Sequence, residues 1–279
     1  MLSLDSIVAY CALAALQGAL VAVQRPARAA AYDRLRSPAW ALVLPGALLV
    51  GTFGVLAVPG SATGLAVLAA VAMPLLVGLA MLDVVRGPRL LWFAALPVVA
   101  TVAVTLHAWP GQLAAAVLTG LGCLTIGAAL VRLTPLPWLA AGIAAMCVTD
   151  VVLLGTGVGQ PAAAELGAAL SNGGIPDFHR VKLGSMSKDY PDVVLAAVLG
   201  AAVAGSAHRL TAAVLVTLMV CANGVFLAVA DMLPGTVPVA LAAVVVALLE
   251  LRGRTFQRSS RRQRRRAAVL MRLELVPER

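Results

Sequence analysis

Charge is scarce in this chain. Asp, Glu, Lys and Arg make up 12% of its 279 residues, about half the share of an ordinary soluble domain. Hydrophobic residues make up 61%, more than a soluble fold can hide in its core. Together these numbers exclude a free-standing soluble domain. Aromatics are few as well, at 4%, and Ala, Val, Leu and Gly take their place. Small side chains of that kind let helix backbones approach closely in a membrane; they also suit a GC-rich bacterial genome. Cysteine is limited to Cys11, Cys123, Cys147 and Cys221. No two form a CxxC pair and no His/Cys spacing fits a zinc site, so they read as small buried hydrophobes. There is no GxGxxG, P-loop, HExxH or Ser/His/Asp arrangement. We therefore expect no metal and no cofactor. His107, His179 and His208 fall at expected helix ends or in loops and read as solvated.

What is present is a series of apolar runs. About 20 apolar residues cross a bilayer as helix, the conformation that satisfies its own backbone in lipid. Nine runs qualify or nearly so: 5–23, 38–58, 64–82, 90–106, 112–131, 136–157, 192–207, 210–230 and 236–251, the seventh and ninth being short. The fold class expected is an all-α polytopic membrane protein with nine transmembrane helices over residues 1–251, followed by a basic tail, 252–279. The first run has Asp5 as the only charge before it, which predicts a retained helix and not a cleaved leader.

Loop charge sets the expected orientation. Arg25, Arg28, Arg34 and Arg36 follow the first run, Arg86 and Arg89 the third, Arg132 the fifth and Arg209 the seventh. From Arg252 to Arg279 there are ten Arg and two Glu, so +8 of the net +9 lies in the tail. The loops after the second and fourth runs have no Lys or Arg, and the last has only Asp231. The positive-inside rule then puts the N-terminus outside and the C-terminus in the cytoplasm. The tail reads as a contact with anionic lipid headgroups and not with nucleic acid. The sixth connection, 158–191, breaks the pattern with Arg180, Lys182 and Lys188. It opens with "QPAAAELGAAL", a short surface helix beginning after Pro161, and continues through "SNGGIPDFHR" as turn. Asp83 and Glu250 fall at run boundaries and are expected to be solvated at headgroup level, while Asn223 is expected to bridge helices.

Asp150 stands apart. It lies well inside the sixth run, where a carboxylate costs about 2.5–3.5 kcal/mol on an insertion scale. No Lys or Arg lies in any run core to neutralise it. The next acid able to reach the same depth is Asp192, at the head of the seventh run, because consecutive helices run antiparallel. Two carboxylates held close share a proton. One then serves as general base on a water while the other donates a hydrogen bond to a scissile carbonyl. The plainer alternatives are an Asp150 bonded to Thr149 or a neighbouring helix, and an Asp192 that only caps its helix.

The order of these features resembles the presenilin and signal peptide peptidase family of intramembrane aspartyl proteases. The residues that carry the resemblance are "VTD" (148–150) in the sixth run, "KLGSMSKDYPDVVLAAVLG" leading into the seventh, and "TVPVALAAVV" (236–245) at the ninth. The family has nine spans, a catalytic Asp in the sixth, a GxGD motif at the seventh and a PAL motif at the ninth. The resemblance covers about 136–251 as the catalytic-type half. It implies Asp150 and Asp192 as the catalytic pair and Pro238, Ala240 and Leu241 as substrate-binding. It implies transmembrane peptides as substrates, membrane lipid as surroundings and a bacterial plasma membrane as location. The chain departs from the family at Val148–Thr149, at Val239 inside the PAL-like segment, and at Asp189 and Pro191, which occupy the motif's glycine positions. The competing readings are an inactive homologue, or a transporter or scaffold in which Asp150 is a proton or cation site. A membrane enzyme acting on lipids ranks last, because the acidic metal-binding clusters it would use are missing.

Overall fold

The computed structural model describes residues 4–26, 33–85, 98–100, 102–103, 105–106, 109–172, 180–226 and 234–252. Helix dominates. In chain order the elements are α1 (Leu4–Ala22), α2 (Val43–Ala57, entered through a 3₁₀ turn at Pro38–Leu42), α3 (Ser61–Leu79, extended by a π-helical turn to Val84), α4 (Trp109–Leu133), α5 (Leu136–Gly155) and α6 (Gly159–Asn172). Strands β1 (Arg180–Leu183) and β2 (Met186–Asp189) follow, then α7 (Tyr190–Val203), α8 (Arg209–Phe226) and α9 (236–252). The chain is mostly helical, as expected of an all-α membrane protein, with one short β-hairpin besides.

Among the described residues, six helical segments are long and apolar enough to cross a membrane: Asp5–Ala22, Pro38–Ala57, Ser61–Val84, Trp109–Leu133, Leu136–Gly155 and Arg209–Phe226. Their outward faces are apolar, with Val50, Leu68, Val71, Leu75, Leu218 and Val225 all exposed. A surface of that kind belongs against lipid. The protein is a helical membrane protein. The expected fourth run lies mostly outside the described residues, although 98–100, 102–103 and 105 are helical. The expected seventh, 192–207, is a helix of 14 residues. At a rise of 1.5 Å per residue it covers about 21 Å, short of the ~30 Å hydrocarbon core.

That short helix is the hub. Every residue of α7 from Asp192 to Ala201 is buried. α4 and α1 pack along it, α8 packs along α1, and the α2, α3, α5 and α6 group leans on the other side of α4. Small residues make the close approaches possible. A Cβ on Gly127 of α4 would sit 2.6 Å from the Ala197 carbonyl carbon, and one on Gly200 would sit 2.8 Å from Val21 Cα. No side chain fits at either point, so the helix backbones meet directly. Gln24 adds a polar tie, donating from Nε2 to the Ala197 carbonyl at 2.6 Å. In the last turn of α4, Arg132 pairs with Asp83, so Asp83 is an ion-pair partner as well as a boundary acid. Asn223 donates from α8 to the Tyr10 hydroxyl of α1 at 3.2 Å.

The hairpin turns through Gly184 and Ser185. Gly184 has φ +59° and Ser185 does not share the left-handed region, as a two-residue type II′ turn requires. Its register pairs Val181 with Lys188 and Leu183 with Met186. Directly opposite residues share a face, and here Val181, Leu183 and Lys188 are the buried ones. Gln112 of α4 accepts from the Gly184 amide at 2.7 Å, Ser185 pairs with Ser6 of α1 at 3.0 Å, and Arg180 donates to the Ala163 carbonyl of α6 at 3.3 Å. The expected surface helix of this connection is α6, which starts two residues before Pro161. Most of the turn expected at 171–180 lies outside the described residues.

Candidate functional site

The site is built from the ends of four elements: the C-terminal half of α5, the hairpin, the first turn of α7 and the first turn of α9. α5 brings Asp150, half-buried. α7 brings Asp192, 6% exposed, as the third residue of the helix. Asp189 precedes the helix without a side-chain capping bond and is exposed. Of the two acids at the polar-to-apolar changeover, Asp192 is therefore the inward one. Pro191 fits without cost, because it occupies the first helical turn, where backbone N–H groups have no intrahelical acceptor.

Both acids converge on two consecutive residues at the start of α9. The Thr236 hydroxyl donates to Asp150 Oδ2 at 2.7 Å. The Asp192 carboxylate occupies the space a side chain at Gly235 would fill: a Cβ there would lie 1.9 Å from Oδ2 and 2.5 Å from Cγ. Glycine at 235 is what lets the carboxylate reach the α9 backbone. The two acids also act on each other electrostatically, with Lys188 and Asp189 contributing to the same field at Asp192. Cys147, one turn before Asp150, senses both acids and has its Sγ 3.9 Å from the Thr236 carbonyl oxygen. Asp150 thus bonds a neighbouring helix, one of the plainer arrangements expected for it, through Thr236.

Of the residues expected to bind substrate, Pro238 is buried in the first turn of α9, Ala240 is half-buried and Leu241 is exposed. The residues that touch the acids in this segment are Gly235 and Thr236, which the sequence reading passed over. A threonine two residues before the PAL-like proline carried no recognisable signal by itself. Lys188 was also missed. Its charge counts in sequence as an irregular loop cation, whereas the hairpin register turns it inward, 5% exposed, beside Tyr10 of α1. Among the described residues no group of three or more His, Cys, Asp or Glu lies together in a way that would hold a metal ion. His179 and Asp231 lie outside the described residues.

No family model, curated protein or solved structure matches the chain.

Proposed function

We propose that the protein is an intramembrane aspartyl protease-like enzyme in which Asp150 and Asp192 form the catalytic pair. The observation that supports this best is the convergence of both carboxylates on Gly235–Thr236. Two acids carried by different helices, both expensive to hold in an apolar bundle, meet at one point where a third helix begins. In this reading the pair shares one proton. The ionised partner takes a proton from water as the water attacks a peptide carbonyl, and the protonated partner donates to the carbonyl oxygen. Thr236 orients Asp150. Gly235 leaves the space that Asp192 needs. The substrate is a transmembrane segment that unwinds locally, since a helical peptide bond is already hydrogen-bonded and shielded. The start of α9, including Pro238 and Ala240, forms one wall of the groove.

The same reading includes nine spans, with the expected fourth helix near 90–106, α7 as a short central seventh and α9 as the ninth. It puts the N-terminus outside and the basic tail in the cytoplasm of a bacterial plasma membrane, as the loop charges favour. The test is cleavage of a synthetic transmembrane peptide by purified protein in liposomes. Asp150→Ala and Asp192→Ala should each abolish it. Retained cleavage in either variant sinks the protease reading. Proton-coupled uptake lost in Asp150→Asn would put a transporter in its place.

A further inference from the structure

The four cysteines stand far apart in sequence, at 11, 123, 147 and 221, and all are free thiols. Cys123 is buried and Cys147 and Cys221 are half-buried, but Cys11 is exposed on α1, on a bundle surface that belongs against lipid. Cys221 stands on α8, which packs along α1. Two close approaches fix the register of that helix pair. Toward the middle of α1, a Cβ on Gly18 would sit 2.0 Å from Thr217 Oγ1 and 2.8 Å from the Ala213 carbonyl oxygen. Nearer its start, a Cβ on Gly224 would sit 2.3 Å from the Tyr10 ring, and Asn223 Nδ2 donates to the Tyr10 hydroxyl at 3.2 Å. As the contact steps back from residue 18 to 10 on α1, it steps forward from 213–217 to 223–224 on α8, so the two helices run antiparallel.

Cys11 and Cys221 fall between those two contacts and on the same seam. Position 11 lies two helical turns before Gly18 on one stripe of α1, and position 221 lies one turn after Thr217 on one stripe of α8. Cys11 also directly follows Tyr10, and Cys221 closely precedes Asn223. The register therefore sets the two cysteines opposite one another, and the two thiols interact directly. A disulfide needs a Cα separation of about 4.4–6.8 Å. Helices that approach closely through glycines, as α1 and α8 do at Gly18 and Gly224, bring opposed residues into that range.

We propose that Cys11 and Cys221 are a redox pair that closes to a disulfide across the α1–α8 seam. Two S–H bonds break and one S–S bond forms. The two electrons and two protons pass to a lipid-soluble quinone, which leaves as the quinol. An oxidant of that class fits the access route: Cys11 is reached from the lipid side, and at a rise of 1.5 Å per residue it lies about 10 Å along α1 from Leu4. The bond ties α1 to α8 at the level where the Lys188 ammonium of β2 donates to the Tyr10 hydroxyl, so it also fixes the seat of the hairpin. Cys123 on α4 and Cys147 on α5 take no part. The pair makes no use of Asp150 or Asp192 and does not depend on the protease reading.

The experiment counts thiols. Full-length protein in liposomes is treated with decylubiquinone and unfolded, and its remaining thiols are alkylated and counted by mass spectrometry. The count should fall from four to two, with the Cys11 and Cys221 peptides joined, and dithiothreitol should restore it. Cys11→Ser and Cys221→Ser should each keep all their remaining thiols, whereas the double variant Cys123→Ala/Cys147→Ala should lose both of its own. The joined protein should unfold at a higher temperature than the reduced one, a shift that Cys221→Ser lacks. Copper(II)–phenanthroline, a stronger oxidant, checks the geometry alone. Four thiols retained under both oxidants overturn the pair. A link from Cys11 to Cys11 of a second copy, or one that includes Cys123 or Cys147, overturns it too. Closure by copper–phenanthroline but not by the quinone overturns the proposed redox couple.

Discussion

Asp192 and Asp150 sit in opposite surroundings. Asp192 stands on α7, buried along its length between α1, α4 and the hairpin. Asp150 stands on α5, where only 22% of the spanning segment is buried, against 61% for α4. The glycines show the same contrast. Gly127 and Gly200 are in backbone contact with neighbouring helices, whereas Gly46, Gly51, Gly54, Gly64 and Gly78 on α2 and α3 have nothing within 4 Å of a Cβ. One side of the molecule is a packed frame that holds a carboxylate in place. The other is more open to lipid, though Leu139 and Met146 of α5 join the core and Gly142 meets the Ala41 backbone, and it presents its carboxylate through the Thr236 hydrogen bond. The proposed protease reading, in which a transmembrane segment must enter, would use both: a fixed acid and an open side.

That contrast can be broken or sharpened by substitution. The largest effects belong to the acids. Asp150→Ala and Asp192→Ala are each expected to lower cleavage by about 10²–10⁴-fold, the range of acid–base catalysis. Asp150→Ala should nevertheless leave thermal unfolding in detergent close to native, because removing a carboxylate that is costly to hold in a span offsets the loss of its bond to Thr236. Next come the frame glycines. Gly200→Ala and Gly127→Ala force a Cβ into a neighbouring backbone and should destabilise by about 1–3 kcal/mol, read as a lower unfolding temperature. Thr236→Val keeps shape and removes the hydroxyl that holds Asp150. Losing that bond to a charged group should lower unfolding stability by about 1.5 kcal/mol and, by leaving Asp150 unoriented, cut cleavage roughly tenfold. The smallest effect is Gly51→Ala on α2. It meets no neighbour, and helix propensity predicts a gain of up to about 1 kcal/mol. Equal destabilisation by Gly51→Ala and Gly200→Ala would erase the distinction between the two sides.

Much of the architecture is legible in the sequence because apolar length is a strong signal. Six of the nine expected runs match helices long enough to cross, with boundaries within a few residues. Asp150 stands out because nothing of opposite charge shares its run, and Asp192 because composition changes sharply at it. The hairpin was hidden by being short. "RVKL" alternates apolar and charged residues, but four residues of alternation beside three basic groups read equally well as a polar loop. With the hairpin went Lys188, since only strand register decides which face it takes. Gly235 and Thr236 were unreadable for a different reason. Their importance comes from meeting Asp192 and Asp150, which lie about 40 and 90 positions away in the chain, and no local pattern records such a meeting.

The measurement that tests the central claim most directly is a cross-link between the two acid positions. In a background with Cys11, Cys123, Cys147 and Cys221 replaced by Ala, Asp150→Cys and Asp192→Cys are combined and treated in liposomes with a short bis-methanethiosulfonate. Single-cysteine variants treated with a monofunctional reagent establish that each position is reached. The account predicts an efficient intramolecular link for 150 with 192. It predicts none when the α5 cysteine is moved to Val151, which is 47% exposed on another face of the helix. No link between 150 and 192, with both positions reactive, would contradict the convergence on Gly235–Thr236.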